Sequence, residues 1–60
     1  MKHFLKIKRV RILPDGNIII VLRCGIGVVC WNGDYINEQT GEVLEPLYDE
    51  FTEELIGFIG

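Results

Sequence analysis

The sequence predicts a small α+β domain: a curled antiparallel β-meander of about five short strands, closed by one C-terminal amphipathic helix. Three observations predict it. Glycine-bearing turn signals recur at Asp15-Gly16, Gly25-Ile26-Gly27, Asn32-Gly33 and Thr40-Gly41, and such dipeptides supply the positive φ of tight hairpins. The segments between them are strand-length and rich in β-branched residues, with Ile18-Ile19-Ile20-Val21-Leu22 the clearest. After Pro46, Leu47, Phe51, Leu55 and Phe58 recur at helical spacing, with Asp49, Glu50, Glu53 and Glu54 largely on the other side.

The strands fall at 3–13, 17–24, 28–31, 34–38 and 42–45. In the first, the apolar set shifts from Leu5 and Ile7 to Val10 and Ile12. One extra residue near Lys8-Arg9 returns both pairs to one side, so a β-bulge is expected there, and with it a curled sheet. In the second, Ile18–Leu22 is apolar throughout, as in a strand covered on both faces. The C-terminal helix is the expected cover, with Pro46 at its first turn and acids near its N-terminus. The alternative is a short turn at 48–53 followed by a final strand, Leu55–Ile59, closing a small all-β barrel. A three-residue Gln39-Thr40-Gly41 loop places Ile36 opposite Leu44. A tight Gly25-Ile26-Gly27 loop places Cys24 opposite Val28. The expected core is Ile7, Val10, Ile20, Leu22, Val29, Leu44, Phe51 and Leu55.

With 60 residues, 48% hydrophobic and 25% charged, the chain is one globular domain at 1–60 with a thin core. No run reaches the length of a membrane span. Charges at Lys6, Lys8, Arg9 and Arg11 interrupt any leader-like apolar stretch, so a cytoplasmic location is expected. Cys24 and Cys30 are too few for a disulfide framework and read as reduced core thiols.

Catalytic chemistry is poorly provided for. The sequence has no serine, one histidine (His3) and two threonines (Thr40 and Thr52). A Cys-His pair lacks an orienting third group. Cys24, Cys30 and His3 do not have zinc-site spacing, and the acids lack a calcium-loop pattern. Gly25-Ile26-Gly27 runs into strand formers, unlike a phosphate loop opening a helix. No enzyme activity, cofactor or metal is expected.

The strongest feature is a charge split. Residues 1–30 hold all six Lys and Arg with one acid, a formal +5; residues 31–60 hold eight acids and no base, a formal −8. In size, charge split and lack of catalytic residues the chain resembles, in type only, small accessory proteins of bacteriophages and mobile elements, many of which inhibit host proteins. The first functional expectation is therefore an interaction protein that binds, and plausibly inhibits, a protein with a basic surface. Its surface would comprise Glu38, Glu42, Asp49, Glu50, Glu53 and Glu54, with Trp31 or Tyr35 as an apolar anchor. The second is a nucleic-acid-binding β-domain using Lys6, Lys8, Arg9, Arg11 and Arg23, against which the overall acidity counts. The third is a self-associating subunit, because the long first strand has few neighbours able to pair all of it and leaves an exposed edge.

Overall fold

The computed structural model describes residues 2–60 and is all-β. The strands are β1 (Phe4–Ile12), β2 (Ile18–Leu22), β3 (Gly27–Trp31), β4 (Asp34–Asn37), β5 (Val43–Tyr48) and β6 (Leu55–Ile59). They form a closed antiparallel barrel in chain order, with β6 pairing back onto β1. The all-β alternative fits; the C-terminal helix does not exist. Its place is taken by a turn and β6, and β5 runs through Pro46 to Tyr48.

The helix fails for a local reason. The Asp49 carboxylate accepts hydrogen bonds from the Phe51 and Thr52 N–H groups at 2.8 and 3.0 Å, and Glu53 adopts φ +60°. That geometry reverses the chain. Beyond it, Ile56, Phe58 and Ile59 are strand formers. The helical spacing of Leu47, Leu55 and Phe58 is a coincidence of two strands: from β6 Phe58 fills the core and Leu55 lines it, whereas Leu47 of β5 is half-buried opposite Gly57.

The bulge in β1 is present. Ile7 pairs with Leu22 and Arg9 with Val21, which leaves Lys8 as the extra residue. Leu5, Ile7, Val10 and Ile12 thus share the inner side, and the basic residues take the outer side. Phe4–Lys6 pair with β6, whereas Ile7 and Arg9–Ile12 pair with β2. The bend lets one strand serve both sides of the barrel.

The core is Leu22, Val28, Leu44 and Phe58, lined by Leu5, Ile7, Ile20, Ile26, Tyr35 and Leu55. Tyr35 and Phe58 have ring centroids 5.0 Å apart. Five of the expected core residues therefore occupy or line the core. Val10 is exposed at its inner-face position, because β1 and β2 run beyond the barrel's filled layer. Phe51 lies on a turn and is 89% exposed. Val29 is half-buried on the outer face. No helix covers the outer face of β2; Ile19 and Val21 are half-buried there.

Two registers differ from expectation. Leu22 N–H bonds Ile26 C=O at 2.9 Å, so the β2–β3 loop is Arg23-Cys24-Gly25 and Val28 faces Ile20, not Cys24. Leu44 pairs with Tyr35, and Ile36 with Val43. The longer loop follows from Asn37, whose side-chain oxygen accepts from the N–H groups of Gln39 and Thr40 at 2.8 and 3.3 Å.

That loop has a twin, although the sequence shows no obvious repeat. Asn37-Glu38-Gln39-Thr40-Gly41-Glu42 and Asp49-Glu50-Phe51-Thr52-Glu53-Glu54 fold alike. The first residue caps the two N–H groups two and three positions on, the threonine hydroxyl accepts the N–H two positions on, and the fifth residue has positive φ. In the first loop that residue is Gly41, at φ +77°; in the second it is Glu53. A side chain in this region costs about 1–2 kcal/mol, offset in part by the larger unfolded-state entropy of glycine. Glu53→Gly should therefore raise stability by about 0.5–1 kcal/mol, or about 2–8 °C in Tm. Thermal unfolding followed by circular dichroism checks this; a lower Tm would contradict the twin-loop account.

Candidate functional site

Strand alternation sorts the surface into two ends. The β1–β2, β3–β4 and β5–β6 turns lie at one end; the β2–β3 and β4–β5 turns lie at the other with the termini, where His3 and Gly60 exchange backbone hydrogen bonds. The first end collects Asp15, Asp34, Asp49, Glu50, Glu53 and Glu54 in or beside its turns, and none of these three turns holds a Lys or Arg. It also carries exposed Ile12, Ile18, Trp31, Tyr48 and Phe51. Buried side chains hold a core together, but these residues have no such role.

Phe51 is the most exposed of the large apolar side chains. It sits at the tip of a turn whose backbone is fixed by the Asp49 cap, with Glu50, Glu53 and Glu54 around it. Hydrogen bonds from Thr52 and Phe51 N–H hold the Asp49 carboxyl below the usual carboxylate range. Trp31, 66% exposed, ends β3 beside the Asn32-Gly33 hairpin, which has positive φ at both residues.

Of the residues expected in an acidic docking surface, Asp49, Glu50, Glu53, Glu54 and Trp31 come to this end. Glu38 and Glu42 do not; they flank the β4–β5 turn at the opposite end. Tyr35 is half-buried against Phe58 and is no free anchor. Its hydroxyl pKa is raised, first by the hydrogen bond with Tyr48, then by burial. Phe51 was hidden in the sequence by its helical spacing. The signal that could have found it is the match between the two Glu-x-Thr segments.

A second feature is an open groove of about 420 Å³ on the outer face, lined by Leu13, Ile19, Val29, Trp31 and Glu38 among others. The Glu38 carboxylate lies over Gly27, where an added Cβ would be 2.5 Å from its oxygen.

The basic residues form a third. Lys6, Lys8, Arg9 and Arg11 line the outer side of β1, and Arg23 N–H bonds Lys6 C=O at 2.9 Å. β2 and β6, the strands flanking β1, hold no charged residue. The row is thus not neutralised by its neighbours in the sheet.

Cys24 and Cys30 are both free and exposed, contrary to their expected burial: Cys24 sits in the β2–β3 turn, and Cys30 lies where the barrel's inner face opens at the acidic end. Among the described residues no three His, Cys, Asp or Glu side chains gather as metal ligands, and no helix is long and apolar enough to cross a membrane. No known protein family, curated protein or solved structure matches this chain.

Proposed function

We propose that this chain is a small non-enzymatic interaction module that binds a protein through the acidic, aromatic end of its barrel. The observation that carries the reading is Phe51, an aromatic ring 89% exposed on a capped turn among acids. A rigid aromatic ringed by charge is the arrangement of a binding hot spot with a polar rim. The complementary partner surface is an apolar pocket bordered by Lys or Arg. Trp31 extends the contact and Glu50, Glu53 and Glu54 select for positive charge.

Phe51→Ala and the pair Glu53→Lys with Glu54→Lys are the tests, used as baits beside the wild type in extracts of the source cell. Each should lose the captured partner while keeping the wild-type circular dichroism spectrum. Charge reversal should weaken binding by about tenfold or more, since like charges across an interface cost several kcal/mol. Its effect should shrink between about 0.1 and 1 M salt, as the Debye length falls from about 10 to about 3 Å. Capture indifferent to all three residues would sink the reading.

A second reading has one observation in its favour, the uninterrupted basic row of β1. In that reading the row follows a phosphate backbone, and binding to a single-stranded oligonucleotide would weaken with salt at a slope of about −0.7 per neutralised phosphate.

A further inference from the structure

The barrel is closed at one level only. β1 and β6 pair at Phe4–Ile59, Leu5–Phe58 and Lys6–Gly57, and there the pairing stops. Beyond the bulge β1 continues for Arg9–Ile12, paired with β2 on one side; among the described residues no strand pairs with its other side. Leu13 N–H bonds Asn17 C=O at 2.7 Å. Antiparallel alternation from that bond directs Arg9 and Arg11 toward β2 for hydrogen bonding and turns the N–H and C=O groups of Val10 and Ile12 outward. They are spaced as a further strand requires.

The side chains match. On the inner side Val10 and Ile12 are 55% and 76% exposed, though both are apolar and continue the core-facing row. On the outer side Arg9 and Arg11 stand without acidic neighbours on β2 or β6. An added strand would bring one set of side chains beside Val10 and Ile12 and the alternate set beside Arg9 and Arg11. A second copy of β1 fits badly. Antiparallel pairing centred on Val10 would place arginine opposite arginine twice, and like charges directly opposite are destabilising. The basic residues and the bulge thus guard the edge against self-pairing while leaving it complementary to an acidic strand.

We infer that the free edge of β1, Lys8–Ile12, takes up an extended segment of a partner protein in which acidic and apolar residues alternate. Main-chain hydrogen bonds to Val10 and Ile12 supply the docking, and Arg9 and Arg11 select the charge. This edge meets the acidic end at Ile12, but docking on it does not depend on whether Phe51 binds a partner.

The test uses two capped hexapeptides, alternating glutamate–valine and alternating lysine–valine, titrated into the labelled full chain and followed by amide NMR and hydrogen exchange. The glutamate peptide should bind saturably and slow exchange at Val10 and Ile12, and the lysine peptide should do neither. Arg9→Glu with Arg11→Glu should reverse the preference, each peptide's affinity changing about tenfold. Val10→Pro removes an N–H that the barrel does not use. It should keep the dispersed spectrum, because proline is tolerated on an edge, and should abolish peptide binding.

Several results would overturn the inference: no saturable binding, equal binding of both peptides, or protection mapping away from Val10 and Ile12. So would protection of those amides in concentrated protein alone, which would make a second copy the occupant. Binding of an oligo-dT probe that shifts Lys6 to Arg11, with no response to the glutamate peptide, would assign the row to nucleic acid instead.

Discussion

Gly57→Ala should be the most damaging single methyl group that can be added to this chain. Gly57 is buried in β6, where it pairs with Lys6 on one side and Leu47 on the other. A Cβ built there would lie 2.5 Å from the Leu5 carbonyl oxygen and 2.6 Å from the Phe4 ring. The ring can move, but the carbonyl is main chain in the strand that closes the barrel. Overpacking of this kind costs about 1–3 kcal/mol or more. A domain of this size has about 3–9 kcal/mol in total, so Tm should fall by about 10 °C or more. Circular dichroism melting measures it. Phe4→Leu in the alanine background separates the two clashes: recovery of the wild-type Tm would mean that the ring, not the Leu5 carbonyl, was the obstacle.

The sequence was most readable where one residue type has one local meaning. Asn32-Gly33 reads as a tight hairpin and folds as one. The phase change across Lys8-Arg9 reads as a bulge and is one, because alternation in a strand leaves no other way to keep Leu5, Ile7, Val10 and Ile12 on one side. The reading failed where two structures share a pattern. Leu47, Phe51, Leu55 and Phe58 fit a helical stripe, but Leu55 and Phe58 reach the core from β6, Leu47 is half-buried on β5 outside the core cluster, and Phe51 is exposed. What decided against the helix was the Asp49 cap and the backbone at Glu53, neither of which leaves a periodic trace. The cysteines failed for a similar reason: burial follows from place, and one lies in a turn and the other where the barrel opens.

The same limits governed the site. The charge split was visible, and the row on β1 needed only the bulge to become one surface. The acids, however, could be grouped only by knowing which turns share an end. Turns of a meander alternate between its two ends, so Glu38 and Glu42 beside the β4–β5 turn lie apart from Asp49, Glu50, Glu53 and Glu54 beside the β5–β6 turn.

Asn37→Ala should be the second large loss, and comparison with its twin shows why. Asn37 is the only buried polar residue of the described chain, 7% exposed. Its side-chain oxygen holds the Gln39 and Thr40 N–H groups, and its backbone N–H and C=O bond Glu42 and Gly41, both at 2.8 Å. Alanine keeps the main-chain bonds and removes the cap, at about 2 kcal/mol, or about 8–16 °C in Tm. Asp49 performs the same task at an exposed turn, where water can replace it, so Asp49→Ala should be milder. The two caps also differ in charge. The Asp49 pKa is lowered on folding by the N–H groups of Thr52 and Phe51. Its contribution is therefore fully present above the unfolded-state value of about 3.9 and is lost as pH falls through the lower folded value. Asp49→Asn keeps an acceptor oxygen, as Asn37 does, and should remove that acid-dependent step. Melting curves from pH 7 to pH 2 should show wild type losing ground to Asp49→Asn only at the acid end, with Asn37→Ala below both throughout. An Asn37→Ala protein as stable as wild type would mean that the Asn37 cap does not hold the β4–β5 turn.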